Sequence, residues 1–360
     1  MEQALLIPPY SLNRAEKRDF LTRHLHRLTR HHAQNCALYE RMLRASSISL
    51  DDELPALEYL PFLPVRLFKE FELCSVPREE VVKTMTSSGT TGQQVSRIFL
   101  DRETAANQTK VLTRIVSSYL GTKRVPMLIL DSSSVVKDRR LFSARGAGIL
   151  GFSMFGSKKH YALDEQMQLD IEGIKEFLNE HRGETIFLFG FTFMIWQHFY
   201  KELEKTGYIP DLSKGILIHG GGWKKLTSES VTPSEFRRCL NKVCGILPEN
   251  VHDYYGMVEQ TGSIYMECEH GHLHAPVFSD VIIRRPLDFS VAEVGEKGII
   301  EVISILPGSY PGHALLTEDE GVLLGEDDCP CGRLGKYFKI EGRMKNAEIR
   351  GCSDTYAAKF

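Results

Sequence analysis

The sequence predicts an α/β protein: a mostly parallel, helix-covered sheet followed by a smaller β-rich lobe. Three observations carry that expectation. Apolar runs suited to buried strands, Met127 to Leu130, Thr185 to Phe189 and Gly215 to His219, alternate with amphipathic stretches such as Asp170 to Leu178 and Thr192 to Leu203. Such alternation favours parallel strands joined by helical crossovers. From about Pro276 the texture changes to V-F-S-D-V-I-I-R-R-P and G-I-I-E-V-I-S-I-L-P, β-rich segments with Gly and Pro turns. Finally, 360 residues at 42% hydrophobic are enough for a large core with one or two lobes.

Taken in order, residues 1–75 read as a helical segment and a linker. Leu21, Leu25 and Leu28 recur at helical spacing, and Tyr39, Met42 and Leu43 continue the pattern. His24, His26, His31 and His32 lack cysteine or carboxylate at ligand spacing, so they are expected on a solvated helix face with no role. The proline-marked link L-P-A-L-E-Y-L-P-F-L-P-V-R-L-F-K leads into a body over 76–275, then the β-rich lobe over 276–342 and a hinge-like tail over 343–360. A net charge of -3 points to neither nucleic acid nor an anionic membrane surface. No apolar run reaches the ~18 residues of a membrane span, and the first residues do not read as a signal peptide, so a cytoplasmic protein is expected. Eight cysteines then argue for thiols, metal or catalysis before disulfides.

The stretch T-S-S-G-T-T-G, Thr86 to Gly92, crowds hydroxyls and glycines into one loop ahead of Arg97. Backbone N–H groups and hydroxyls can wrap an anion there, with glycine permitting close approach. The loop is no Walker A sequence, and taken alone it is equally a surface turn. Further on come Y-Y-G-M-V-E (Tyr254 to Glu259), A-L-L-T-E-D-E-G (Ala314 to Gly321) and I-E-G-R-M-K-N-A-E-I-R-G (Ile340 to Gly351). In that order the four resemble the motifs of the adenylate-forming superfamily. The phrases S-S-G-T-T-G-Q-Q-V-S-R-I-F-L-D, H-G-G-G-W-K-K and E-I-R-G-C-S-D-T-Y narrow the resemblance to acyl-protein synthetases of the LuxE type, over nearly the whole chain.

That resemblance implies a fold, a reaction and a site. The fold is the N-terminal-type body of an adenylate-forming enzyme. The chain ends soon after Gly342 and Arg343, which leaves no room for the superfamily's further domain with its catalytic lysine; Lys345 and Lys359 are only stand-ins. The reaction is attack of a fatty carboxylate on ATP, then transfer of the acyl group to a cysteine near the C-terminus and on to a partner acyl reductase or acyl acceptor. Two anions meet in the first step, so positive charge and oriented donors are needed. Ser87, Ser88, Gly89, Thr90, Thr91 and Gly92 supply donors, Arg97 replaces the loop's usual lysine, and Glu259 matches the Mg²⁺ ligand. Asp319 matches the acid that grips the ribose hydroxyls, although T-E-D stands for the usual T-G-D and Glu318 and Glu320 compete. Gly220, Gly221 and Gly222 would let adenine lie on backbone, with Tyr255 stacking on it. Asp253, Tyr254, Gly256 and Arg343 complete the nucleotide set, Arg343 also serving the reaction. Cys352, two residues after Arg350, is the expected nucleophile, since nearby cations favour the thiolate.

Other cysteines suggest zinc. Cys268, His270, His272 and His274 precede Cys329-Pro-Cys331-Gly, and thiolates with imidazole are what tetrahedral Zn²⁺ takes, although the spacing is tighter than C-x₂-C. The expected set is Cys268, His274, Cys329 and Cys331, with His272 or His270 as substitutes; phenylacetate-CoA-ligase-like relatives carry a similar pattern. An apolar run, Phe187 to Trp196, suits either an acyl tunnel or a plain buried strand. Two other readings stay open: a CoA ligase of the phenylacetate type, and a non-catalytic nucleotide-binding or zinc-ribbon module.

Overall fold

The computed structural model describes residues 1–45, 56–87, 94–137, 144–223 and 228–344. Its strands are β1 Leu63–Pro64, β2 Lys83–Thr86, β3 Arg97–Leu100, β4 Val125–Ser132, β5 Gly156–Leu163, β6 Ile186–Phe191, β7 Gly215–Gly220, β8 Val251–Tyr255, β9 Tyr265–Glu267, β10 Leu273–His274, β11 Ser279–Arg284, β12 Lys297–Ser304, β13 Ala314–Glu326 and β14 Lys336–Arg343. All but β2 and β3 join one sheet of order β11-β12-β13-β14-β10-β9-β8-β7-β6-β4-β5, with β1 alongside β13. From β5 to β8 the strands are parallel; from β8 to β11 they are antiparallel. The expected β-rich segment is therefore present, but it is no second sheet, because β14 pairs with β10, β10 with β9 and β9 with β8.

Helices cover both faces of the parallel half, which is why β6 is buried at every position and reads as a continuous apolar run. The pleat sends Phe187, Phe189 and Phe191 to one face, where Phe189 stacks on Phe152 at 4.3 Å, and Leu188 to the other, with Ile195 and Trp196. The run Phe187 to Trp196 thus divides between two cores. The following helix widens into a π-helical turn over Ile195–Tyr200 before Lys201–Thr206.

The helix Arg14–Asn35 opens on a capping box between Asn13 and Glu16 and lays Leu21, Leu25 and Leu28 on the core. Its histidines do not all face solvent. His32 is fully buried, its ring 5.1 Å from and stacked with His313; its Nδ1 lies 2.8 Å from the Ser75 hydroxyl, and its Nε2 donates to the Pro307 carbonyl at 3.0 Å. His313 Nε2 lies 3.0 Å from the Thr29 hydroxyl, and His31 donates to the Gly308 carbonyl at 3.0 Å. Helical spacing places His32 on the same face as Leu25 and Leu28, so it is a buried polar latch onto residues 307–313.

Burial depresses both imidazoles, His313 to about 3 and His32 well below its ordinary value, where His313 adds to the effect. Their neutral forms belong to the folded state, and the unfolded chain takes up protons first as pH falls below ~6.5. Stability contributed by these groups is full above that pH and lost below it. In urea titrations between pH 6 and pH 4, His313→Gln is expected to reduce the acid slope by about 1.4 kcal/mol per pH unit. An unchanged slope would refute the latch.

Candidate active site and metal centre

Cross-strand pairing of β13 with β14 sets Asp319 opposite Arg343. Asp319 Oδ1 lies 3.2 Å from Arg343 Nε, and its Oδ2 accepts a 2.8 Å hydrogen bond from the Tyr255 hydroxyl at the end of β8. Three of the expected residues meet here. Glu318 also reaches Arg343, at 3.2 Å, whereas Glu320 pairs with Lys297 at 2.8 Å. Asp319 is the carboxylate of this trio that faces β8. Tyr255 is not stacked beneath an open glycine shelf: it packs against Tyr265 and Phe338, and burial, with Asp319 second, raises its phenol well above the ordinary value.

The ring beside the glycines is Tyr254. A Cβ on Gly220 would come within 2.7 Å of it, and one on Gly221, at φ +83°, within 2.6 Å of Phe191. Both glycines are thus required by close approach, and Gly221 by backbone conformation too. Gly222 follows at φ +62°, and Gly256 closes β8.

Glu259 lies buried in the short turn Val258–Gln260, whose backbone is held from both sides. Tyr310 donates to the Glu259 carbonyl at 2.9 Å, and Gln260 Nε2 donates to Gly312 and Val302 carbonyls at 2.8 and 3.1 Å. The hydroxyl loop's stem stands beside this turn, Thr261 Oγ1 being 3.8 Å from Met85 Sδ in β2. Ser87 and Ser96 close the stem: Ser87 N donates to the Ser96 carbonyl at 3.1 Å, and Ser96 N to Ser87 Oγ at 2.9 Å. Arg97 points to Glu72, 3.1 Å away, and is half exposed. Ser88, Gly89, Thr90, Thr91 and Gly92 lie outside the described residues, as does Cys352.

Sequence reasoning missed a polar group behind Asp253. A cavity of about 100 Å³ opens between the end of β7 and the helix Pro233–Cys244, with Thr192, His219, Trp223 and Asp253 on its wall. The Thr192 hydroxyl donates to the Gly220 carbonyl at 3.1 Å, so His219 Nδ1, 2.9 Å away, is the donor to that hydroxyl. Burial holds His219 far below its usual value, to about 3, with Arg237 next in effect. Asp253, with 46% of its side chain exposed, is raised above the ordinary carboxylate range, by desolvation and then by Glu267. Glu267 left no sequence signal, being a lone acid in a three-residue strand.

At the far end of β9 the metal-type residues converge. One ligand atom each from Cys268, His274, Cys329 and Cys331 all lie within 4.8 Å of one another. Sulfurs around a tetrahedral Zn²⁺ at ~2.3 Å stand just under 4 Å apart, so this donor set fits such an ion. Two tight turns present it: Gly271 N donates to the Cys268 carbonyl and Gly332 N to the Cys329 carbonyl, each at 2.9 Å. His272 stands outside the four, its Nδ1 3.3 Å from Cys329 Sγ, and Arg333 N approaches Cys331 Sγ at 3.5 Å. Burial raises the Cys268 and Cys329 thiols, and the neighbouring thiols add to it. Cys36, Cys74, Cys239 and Cys244 are free thiols elsewhere.

Comparison with known proteins places the chain in a family and gives its fold. The family model described as "Acyl-protein synthetase, LuxE" matches residues 4–360. The long-chain-fatty-acid–luciferin-component ligase of Vibrio harveyi is 24% identical over 316 residues, 84% of this chain and 79% of that protein. Among solved structures, 2-hydroxyisobutyryl-CoA ligase in an open conformation with 2-HIB-AMP and CoA superposes with a TM-score of 0.70 at 14% identity, covering 94% of this chain and 77% of that one. Its postadenylation state with R3-HIB-AMP gives a TM-score of 0.69 at 14% identity, covering 94% and 70%. No helix among the described residues is long and apolar enough to cross a membrane. With a match spanning residues 4–360 and the fold of an adenylate-forming ligase, the chain belongs to the LuxE family of acyl-protein synthetases and is an ATP-dependent acid ligase.

Proposed function

We propose that this ligase activates a fatty acid with ATP and Mg²⁺ and captures the acyl group on its own Cys352, for delivery to a partner acyl reductase or acyl-acceptor protein. In the first step a carboxylate oxygen bonds to the α-phosphorus and pyrophosphate leaves. In the second the Cys352 thiolate attacks the acyl carbonyl and AMP leaves, so the acid–phosphate bond is exchanged for a thioester. A thiol carrier of this kind suits the reducing cytoplasm.

The observation that carries the reading is the meeting of Tyr255, Asp319 and Arg343 at the β8, β13 and β14 ends. A carboxylate fixed from one side by a phenol and from the other by a guanidinium keeps lone pairs for two vicinal ribose hydroxyls, and the arginine brings charge to the phosphates. Glu259 holds an oxygen ligand ready for Mg²⁺ beside the stem of the hydroxyl loop, whose Ser88, Gly89, Thr90, Thr91 and Gly92, with Ser87, take the β and γ phosphates. The base is assigned to the wall formed by Gly220, Gly221, Gly222, Asp253 and Tyr254. Cys268, His274, Cys329 and Cys331 hold a structural Zn²⁺.

Intact-protein mass after incubation with ATP, Mg²⁺ and a long-chain fatty acid tests the thioester. The expected result is an added acyl mass, labile to hydroxylamine, on the wild type and none on Cys352→Ser. Absence of the adduct, with pyrophosphate release rising only when CoA is supplied, would replace this reading by a CoA ligase.

A further inference from the structure

Glu267 sits directly before Cys268 and is buried, yet it does not serve the ladder of β9 alone. Its carboxylate Oε2 accepts from the backbone N–H of Asp253 at 3.0 Å and meets Arg237 Nη2 at 2.5 Å. Arg237 Nε in turn donates to the Val251 carbonyl at 3.2 Å. One ion pair therefore grips β8 at two points, on either side of His252. His252 itself lies with Nδ1 3.0 Å from the Glu267 carbonyl. The grip fixes the residue whose carboxyl faces the cavity beside His219, and whose Oδ1 is already turned to accept from Tyr254 N at 2.8 Å. A Cβ on Gly271 would meet Arg237 at 3.4 Å and Glu267 at 3.6 Å, so the pair also abuts the turn that begins at Cys268.

We infer that Glu267 and Arg237 are positioning residues for the nucleotide: the pair sets the end of β8 so that Asp253 presents its carboxyl to the base cavity, and it seats that strand on the Cys268 turn. This rests on the assignment of the base to the cavity wall made above. Both side chains also border that cavity, Arg237 12% and Glu267 7% exposed, with their charges turned to each other. The pair therefore acts on nucleotide affinity and leaves the rate at saturation alone. Glutamine at 267 keeps an oxygen for the Asp253 N–H but not the charge for Arg237, whereas alanine keeps neither.

The test is fatty-acid-dependent ATP–pyrophosphate exchange with purified full chains. Glu267→Ala is expected to raise the KM for ATP about tenfold or more, as the loss of a charge-assisted hydrogen bond does, with kcat within about twofold. Glu267→Gln recovers most of that loss, and Arg237→Gln, far in sequence from the thiols, reproduces the Glu267→Ala shift. Melting curves and metal content of each variant separate mispositioning from misfolding. Asp253→Ala separates the two layers of the argument. If it leaves KM unchanged, the base assignment fails; if it raises KM while Glu267→Ala and Arg237→Gln do not, the positioning inference is overturned.

Discussion

Replacing Asp280 by alanine is expected to cost about 3–5 kcal/mol of folding free energy, because it strands one buried and one largely enclosed ammonium group. Asp280, on β11, lies 3.5 Å from Lys17 Nζ of the first long helix and 2.9 Å from Lys336 Nζ at the start of β14. Lys17 is only 2% exposed and donates to the Ala275 carbonyl at 2.8 Å; Lys336 donates to the Val281 carbonyl at 3.1 Å. Burial lowers the Lys17 pKa while Asp280 opposes it; at Lys336 burial also acts downward, yet Asp280 together with Glu326 and Glu58 outweighs it and the net shift is upward. The carboxylate is thus the counter-charge of both lysines, and Asp280 itself is held below its ordinary pKa despite complete burial. Urea denaturation at pH 7 measures the loss. Adding Lys17→Met to Asp280→Ala removes one of the stranded charges and should restore part of the stability, a coupling that a double-mutant cycle reads directly. A loss below about 1 kcal/mol for Asp280→Ala would mean that water reaches the cluster and the staple is weak.

That staple shows where sequence reading stopped. A lysine at helical position 17 reads as solvent-facing, and only the packing of helix on sheet shows that its stem and charge are enclosed. His32 misled in the same way. Strands β4, β6 and β7 were legible because both faces are covered and their apolar runs are continuous. The joining of the β-rich segment to the same sheet was not, since it depends on β10, two residues long, pairing with β9 and β14. In the site, motif order pointed to Tyr255, Asp319 and Arg343, but three consecutive acids, Glu318 to Glu320, carry no signal of which faces β8. The pleat and the β13–β14 register make that choice. The Glu267 and Arg237 pair lies 30 positions apart and is visible only in three dimensions.

Removing the zinc proposed for the Cys268 turn should have the other large effect. Two of its ligands, Cys329 and Cys331, belong to a turn that draws little from the core: around it lie Tyr337 and partly buried Leu324. The turn nevertheless anchors the N-terminal segment. Leu334 N donates to the Tyr10 carbonyl at 3.1 Å, and Arg333 pairs with Glu269 at 2.6 Å while its guanidinium lies 4.7 Å over the Tyr119 ring. A cation bound there and absent from the unfolded chain stabilises by mass action, about 4 kcal/mol at a free concentration a thousand times its Kd. The expected result is one zinc per chain by atomic spectroscopy in the wild type and little in Cys329→Ser. Melting should fall by a similar amount for that variant and for the wild type stripped by a strong chelator. Zinc added back should restore the stripped wild type but not Cys329→Ser. Because Tyr10 and Tyr119 lean on Arg333, limited proteolysis of the stripped protein should cut first near residues 327–335 and in the N-terminal segment. Wild type that carries no zinc and melts identically with chelator would show that four donors within 4.8 Å, three of them buried, are held by protons and packing alone.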